Sequence, residues 1–85
     1  MKFEIGKVID FNGYTGKILS KNGTYMFLDN DIINNSSFEL GDYVIFRGEQ
    51  SGDIKRAYFV QFFSKKINNL MVIKSSLARL LKRND

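Results

Sequence analysis

The chain contains no cysteine and no histidine. Disulfides, thiolate nucleophiles, the usual zinc sites, serine triads and imidazole acid/base chemistry are excluded together. Proline and tryptophan are also absent, and no stretch approaches the ~20 consecutive apolar residues that a membrane-spanning helix needs. The opening MKFEIGKV lacks the apolar run of a secretory leader, so a cytoplasmic protein is expected. What is present is 85 residues, 44% hydrophobic and 26% charged, too apolar for disorder and too short for two cores. A domain of this size buries only about 60% or slightly more of its unfolded surface, so its stability is marginal.

Catalysis has few reagents left. Asp29 with Asp31, or Asp10 with Asp42, offers carboxylates for Mg²⁺ in principle. Acids at turns and strand ends ordinarily cap backbone and solubilise, and no phosphate-cradling glycine pattern or paired-carboxylate constellation accompanies them. The expectation is no enzyme, no cofactor and no metal.

The positive charge is unevenly placed. Through Phe63 there are seven Lys/Arg against eight acids, whereas from Ser64 onward six Lys/Arg face Asp85 alone. The basicity therefore belongs to the tail, and a polyanionic partner is the natural inference.

Five runs rich in β-branched and aromatic residues read as strands, over residues 2–11, 14–20, 24–29, 42–49 and 55–63. Asn12-Gly13 and Asn22-Gly23 accept the positive φ of tight hairpin turns, which predicts a meander of the first three strands. The polar stretch NDIINNSSFE makes a longer connection pinned by Ile32, Ile33 and Phe38, and Gln50-Ser51-Gly52-Asp53 closes the last hairpin. From Asn68 or Asn69, both good N-caps, Leu70, Ile73, Leu77 and Leu80 recur at helical spacing with Lys74, Arg79, Lys82 and Arg83 largely off that face.

Such a set of strands suits a five-stranded antiparallel barrel, of OB type or SH3-like. The residues go further. Gly6-Lys7-Val8-Ile9-Asp10-Phe11-Asn12 resembles the opening strand of the cold-shock domain family. Gly16-Lys17-Ile18 is similar to the end of that family's first RNA-binding motif, and Tyr25-Met26-Phe27-Leu28-Asp29-Asn30-Asp31-Ile32 to its second motif and the Ile beyond. Leu40-Gly41-Asp42-Tyr43-Val44-Ile45-Phe46 and Arg56-Ala57-Tyr58-Phe59-Val60 resemble its fourth and fifth strands, so the likeness spans residues 4–63. It implies an OB-type barrel that binds single-stranded nucleic acid on an outward aromatic cluster, in an RNA-chaperone or translation-related role. In this sequence Asp10 stands at that family's Trp position and Lys17 at a Phe position.

Single strands are held by cations interleaved with stacking faces. The candidates are Lys7 on the first strand, Tyr14 and Lys17 on the second, Phe27 on the third, and Lys55, Arg56 and Tyr58 on the last. Phe3, Phe11, Phe46 and Phe59 are expected inside the barrel, since a small barrel needs rings to fill it. Asp10, Glu39 and Glu49 lower the local potential, while Lys74, Arg79, Lys82 and Arg83 offer a second, salt-sensitive grip on phosphates.

The sequence thus predicts an all-β OB-type barrel over residues 1–63 and a basic amphipathic α-helix within 64–85, acting as a non-catalytic binder of single-stranded RNA or DNA. The alternative is a protein-interaction adaptor or homodimerising OB domain whose helix docks a partner or a second copy; at their helical spacing Leu70, Ile73, Leu77 and Leu80 are expected to pack on the barrel, on a partner or on a second copy of the helix. A membrane-surface role is disfavoured by Asn68, Asn69 and the missing Trp.

Overall fold

A computed structural model describes residues 2–66, which form five strands: β1 (Phe3–Phe11), β2 (Thr15–Ser20), β3 (Gly23–Leu28), β4 (Tyr43–Ser51) and β5 (Ile54–Ser64). A single 3₁₀ turn, Asp29–Asp31, follows β3. The expected tail helix, with Leu70, Ile73, Leu77, Leu80 and the four cations Lys74, Arg79, Lys82 and Arg83, lies outside the described residues. Among the described residues no helix is long and apolar enough to cross a membrane.

The strands close into a barrel in the order β1-β2-β3-β5-β4. The first three form the expected meander. Asn12 Oδ1 accepts the N–H groups of Tyr14 and Thr15, each at 2.9 Å, and Gly13 takes φ +94°, which shapes the first hairpin. Gly23 at φ +120° does the same for the second. One expectation is corrected: the barrel is not wholly antiparallel, because β3 and β5 pair in parallel through Met26 and Arg56. The reason is parity, since an odd number of strands cannot close a ring with every neighbour reversed.

Alternation along each strand sends Val8, Ile18, Tyr25, Phe27, Val44, Phe46, Ala57 and Val60 into a common core. Phe11, Ile32 and Phe38 cap it at one end, with the Phe27 ring 5.4 Å from Phe11 and 6.0 Å from Phe38. Gly16 is where β2 comes closest to that ring: a Cβ there would sit 2.5 Å from Phe27 Cε1 and 2.6 Å from the Asp10 carbonyl.

Two rings expected inside lie outside. Phe3 is 56% exposed because its parity on β1 is opposite to that of Gly6 and Val8. Phe59 is 43% exposed because β5 carries a bulge there: Ile45 pairs with Gln61 and Arg47 with Tyr58, so Phe59 and Val60 together oppose Phe46. Phe59 takes φ +54°, a left-handed conformation that costs a bulky side chain on the order of 1–3 kcal/mol.

The connection from β3 to β4 is pinned as expected. Ile32 bridges to Val60, Ile33 donates its N–H to the Val60 carbonyl at 2.9 Å, and Ser36 Oγ accepts the Phe62 N–H at 3.1 Å. Asp42, fully buried, accepts the Glu39 N–H at 2.8 Å and the Lys66 N–H at 3.0 Å, with Lys65 Nζ 3.6 Å away. The Glu39 and Lys66 amides outweigh the burial and hold its carboxyl below the usual carboxylate range. Asp42 therefore ties the end of this connection to the end of β5.

Candidate nucleic-acid interface

The outward face of β2 and β3 meets that of β5 along one cross-strand row. Asp10 lies opposite Lys17, Lys17 opposite Met26, Met26 opposite Arg56, and Arg56 opposite Glu49. Lys17 is exposed, Met26 is 41% exposed, and Arg56 is half-buried. Two residues along β5, the Tyr58 ring has two guanidiniums close to it, Arg56 Cζ 4.9 Å and Arg47 Cζ 5.6 Å from its centroid. Such contacts hold the ring and both cations in fixed relation. Met26, Ile54, Arg56, Tyr58 and Glu49 line a shallow groove of about 360 Å³ on this face.

Arg56 is held by the barrel's own closure. Its Nη2 and Nε donate to Asp31 Oδ2 at 2.8 and 3.3 Å, and the same oxygen accepts the Leu28 N–H at 2.7 Å. The hydrogen bond to Asp31, partly opposed by burial, raises the guanidinium pKa above its ordinary value. Arg47 likewise pairs with Glu49 at 3.1 Å. Each guanidinium beside Tyr58 thus has its own carboxylate, so the mainly apolar groove, with Arg56 as its one lining cation among the described residues, carries no large excess of positive charge.

The other candidates are dispersed. Tyr14 belongs to the turn before β2 rather than to the strand, and it is 74% exposed. Its backbone is fixed, because its carbonyl accepts the Asp29 N–H at 2.9 Å. Lys7 is exposed on β1 between Leu19 and Tyr43, away from the row through Lys17. Lys55 shares the inward parity of Ala57, and its ammonium donates to the Asn22 carbonyl and lies 5.8 Å from the Tyr25 ring. It serves the β2–β3 hairpin rather than the face that holds Arg56 and Tyr58.

Phe27 is a correction. It is fully buried among Phe11, Phe38 and the core aliphatics, so it has no face to offer a base. Met26 occupies the outward position instead. The signal was available in the sequence: Tyr25 and Phe27 flank Met26 in a strand, and the larger apolar pair takes the core side. Arg47 and Ile54 were also missed, and for them no local signal exists, since only the β4–β5 register brings Arg47 beside Tyr58.

Among the described residues no cluster of three or more Asp, Glu, Cys or His is placed to hold a metal ion. No family model matches this chain, and no curated protein is significantly similar to it.

Proposed function

We propose that the barrel is of OB type, a divergent relative of the cold-shock domain, and that it binds single-stranded nucleic acid, RNA above all, without catalysing a reaction on it. The observation that carries this reading is the half-buried Tyr58 ring with Arg47 and Arg56 close by, beside exposed Met26 and Lys17. A base stacking on an aromatic or guanidinium plane, with a cation near its phosphate, needs that combination. OB folds bind oligonucleotides on the face of strands 2 and 3 and on the loops joining strands 1–2 and 4–5. Here Lys17 and Met26 occupy that face, Tyr14 the first loop, and Ile54 the second loop's edge. The strand order and the parallel β3–β5 seam support the same reading.

Fluorescence anisotropy of the full-length chain with short single-stranded RNA and DNA at two salt concentrations tests it. Saturable binding that weakens with salt, and weakens further in Tyr58→Ala, is the expected result. Absence of binding at low salt overturns it and leaves the adaptor reading. That second reading is favoured by Asp10 and Lys17, a cross-strand pair that stands where the resembled family has stacking aromatics.

A further inference from the structure

A second, apolar groove borders the face just described, with Arg47 Cζ over both the Tyr58 ring and the Phe59 ring. Phe3 from β1, Ile45 from β4, Phe59 and Gln61 from β5 and Ile33 from the connection line a depression of about 540 Å³. Phe3 and Phe59 are 56% and 43% exposed, and neighbouring Ile5 is 47% exposed. The left-handed backbone of Phe59 sets its ring outward as one wall, with Arg47 Cζ 4.9 Å from the ring centroid. A contiguous apolar surface of this kind is one that soluble chains seldom leave bare.

We propose that the groove is the docking site of the chain's own tail, with Leu70, Ile73, Leu77 and Leu80 of an amphipathic helix seated on Ile45, Phe3 and Phe59. This goes beyond the nucleic-acid reading and does not depend on it. The route of the chain supports it. Ser64 pairs with Tyr43, and the Lys66 N–H is fixed to Asp42, so the chain leaves the barrel beside the start of β4. Ile45 is two residues further along β4, about 7 Å, and the Phe3–Arg47 pair about 13 Å, from that exit. A reversal through Ile67, Asn68 and Asn69 directs a helix back along β4, and fourteen helical residues from Leu70 to Arg83 span about 21 Å, enough to cover the groove.

The length of the connection also selects the occupant. Three residues between Lys66 and Leu70 keep the stripe at a local concentration in the millimolar range or above, far higher than a second copy or another protein reaches in dilute solution. An isolated helix of about four turns is marginal in water, so the tail needs such a surface as much as the groove needs a cover. Docked through its apolar face, the helix keeps Lys74, Arg79, Lys82 and Arg83 in solvent.

Because the chain has no cysteine of its own, paired cysteines in the full-length protein report the contact. Ile45→Cys is combined in turn with Ile73→Cys, with Leu77→Cys and, as a control from the polar side, with Arg79→Cys. The expected result is an intramolecular disulfide with Ile73→Cys or Leu77→Cys, at least fivefold above the Arg79→Cys control and unchanged on tenfold dilution. Equal yields from all three pairs, or disulfide-linked dimers that disappear on dilution, overturn the proposal, the latter in favour of a second copy. Leu77→Asp supplies an independent readout by amide spectra: shifts centred on Phe3, Ile33, Ile45 and Phe59 support the docking, and shifts elsewhere or none refute it. No oligonucleotide enters either experiment, so failure of the nucleic-acid reading leaves both outcomes interpretable.

Discussion

Asp31 and Arg56, joined at 2.8 Å, link the end of β3 to β5 across the only parallel seam among the described strands. Regular pairing at that seam is limited to Met26 with Arg56, supplemented by the Ile32–Val60 bridge. One carboxylate oxygen serves Arg56 and the Leu28 N–H together. The residue that closes the barrel is therefore also the residue that orients a cation beside Tyr58.

Asp31→Ala removes the charged partner of a guanidinium that is 28% exposed and the acceptor of the Leu28 amide. Hydrogen bonds to charged groups are worth about 1.5–3 kcal/mol, and the loss is expected to fall in that range by urea denaturation. Oligonucleotide affinity is expected to drop as well, because Arg56 is released from its position beside the Tyr58 ring. A variant that loses stability but binds like the parent would show that Arg56 takes no part in recognition.

Tyr58→Ala is expected to weaken single-strand binding by about 1–3 kcal/mol, roughly five- to 150-fold, whereas Tyr58→Phe retains the stacking face and most of the affinity. Lys55→Ala is expected to change affinity far less, since its ammonium is engaged by the Asn22 carbonyl. Titrations at matched salt separate the three variants.

Neighbouring residues on β3 are expected to behave oppositely. Phe27→Ala empties the centre of the core and is expected to cost about 3–5 kcal/mol of folding stability. Met26→Ala, at an exposed position, is expected to leave thermal stability within about 0.5–1 kcal/mol of the parent. Its measurable effect is a loss of oligonucleotide affinity. Thermal melts alongside titrations read both.

Acid is expected to destabilise the fold through Asp42 and Glu4. Amides of Glu39 and Lys66 lower the Asp42 pKa against the opposing effect of burial. For Glu4, burial raises the pKa but hydrogen bonds from Asn22, Tyr25 and Ser20, with the charge of Lys21, lower it further. A carboxyl whose folded pKa is depressed contributes stability above its unfolded value, near 4, and loses that contribution as pH falls through the folded value. Tyr25 works at the other limit: burial and the Glu4 carboxylate raise its pKa, so its contribution is present below about pH 10 and lost above it. Urea midpoints between pH 2 and 11 should fall at both ends, and Asp42→Asn should flatten the acid limb while lowering the plateau.

The local part of the fold was legible in the sequence. Both Asn-Gly dipeptides form the expected turns with a glycine at positive φ, and each strand run lies within about three residues of its strand, since turn chemistry and pleat alternation are short-range. What escaped was non-local. The parallel seam depends on β5 reaching β3 around the barrel, and the placement of Arg47 beside Tyr58 depends on β4–β5 register. Lys17 and Arg56 read correctly as outward cations, while Phe27 was misplaced by counting its aromatic character ahead of its parity. Phe59 was misplaced for the converse reason: strict alternation from Ala57 points it inward, and no glycine marks the bulge that turns it out.

That bulge makes Phe59 a residue the strand can do without. Excising it would leave Tyr58 facing out, Val60 in, Gln61 out and Phe62 in, an unbroken alternation with the same residues lining the core. The shortened chain would lose its one left-handed aromatic backbone and should fold at least as readily. Phe59 thus belongs to the outer wall rather than to the core, and altering its ring reshapes the groove it shares with Phe3 and Ile45 while the interior stays as it is.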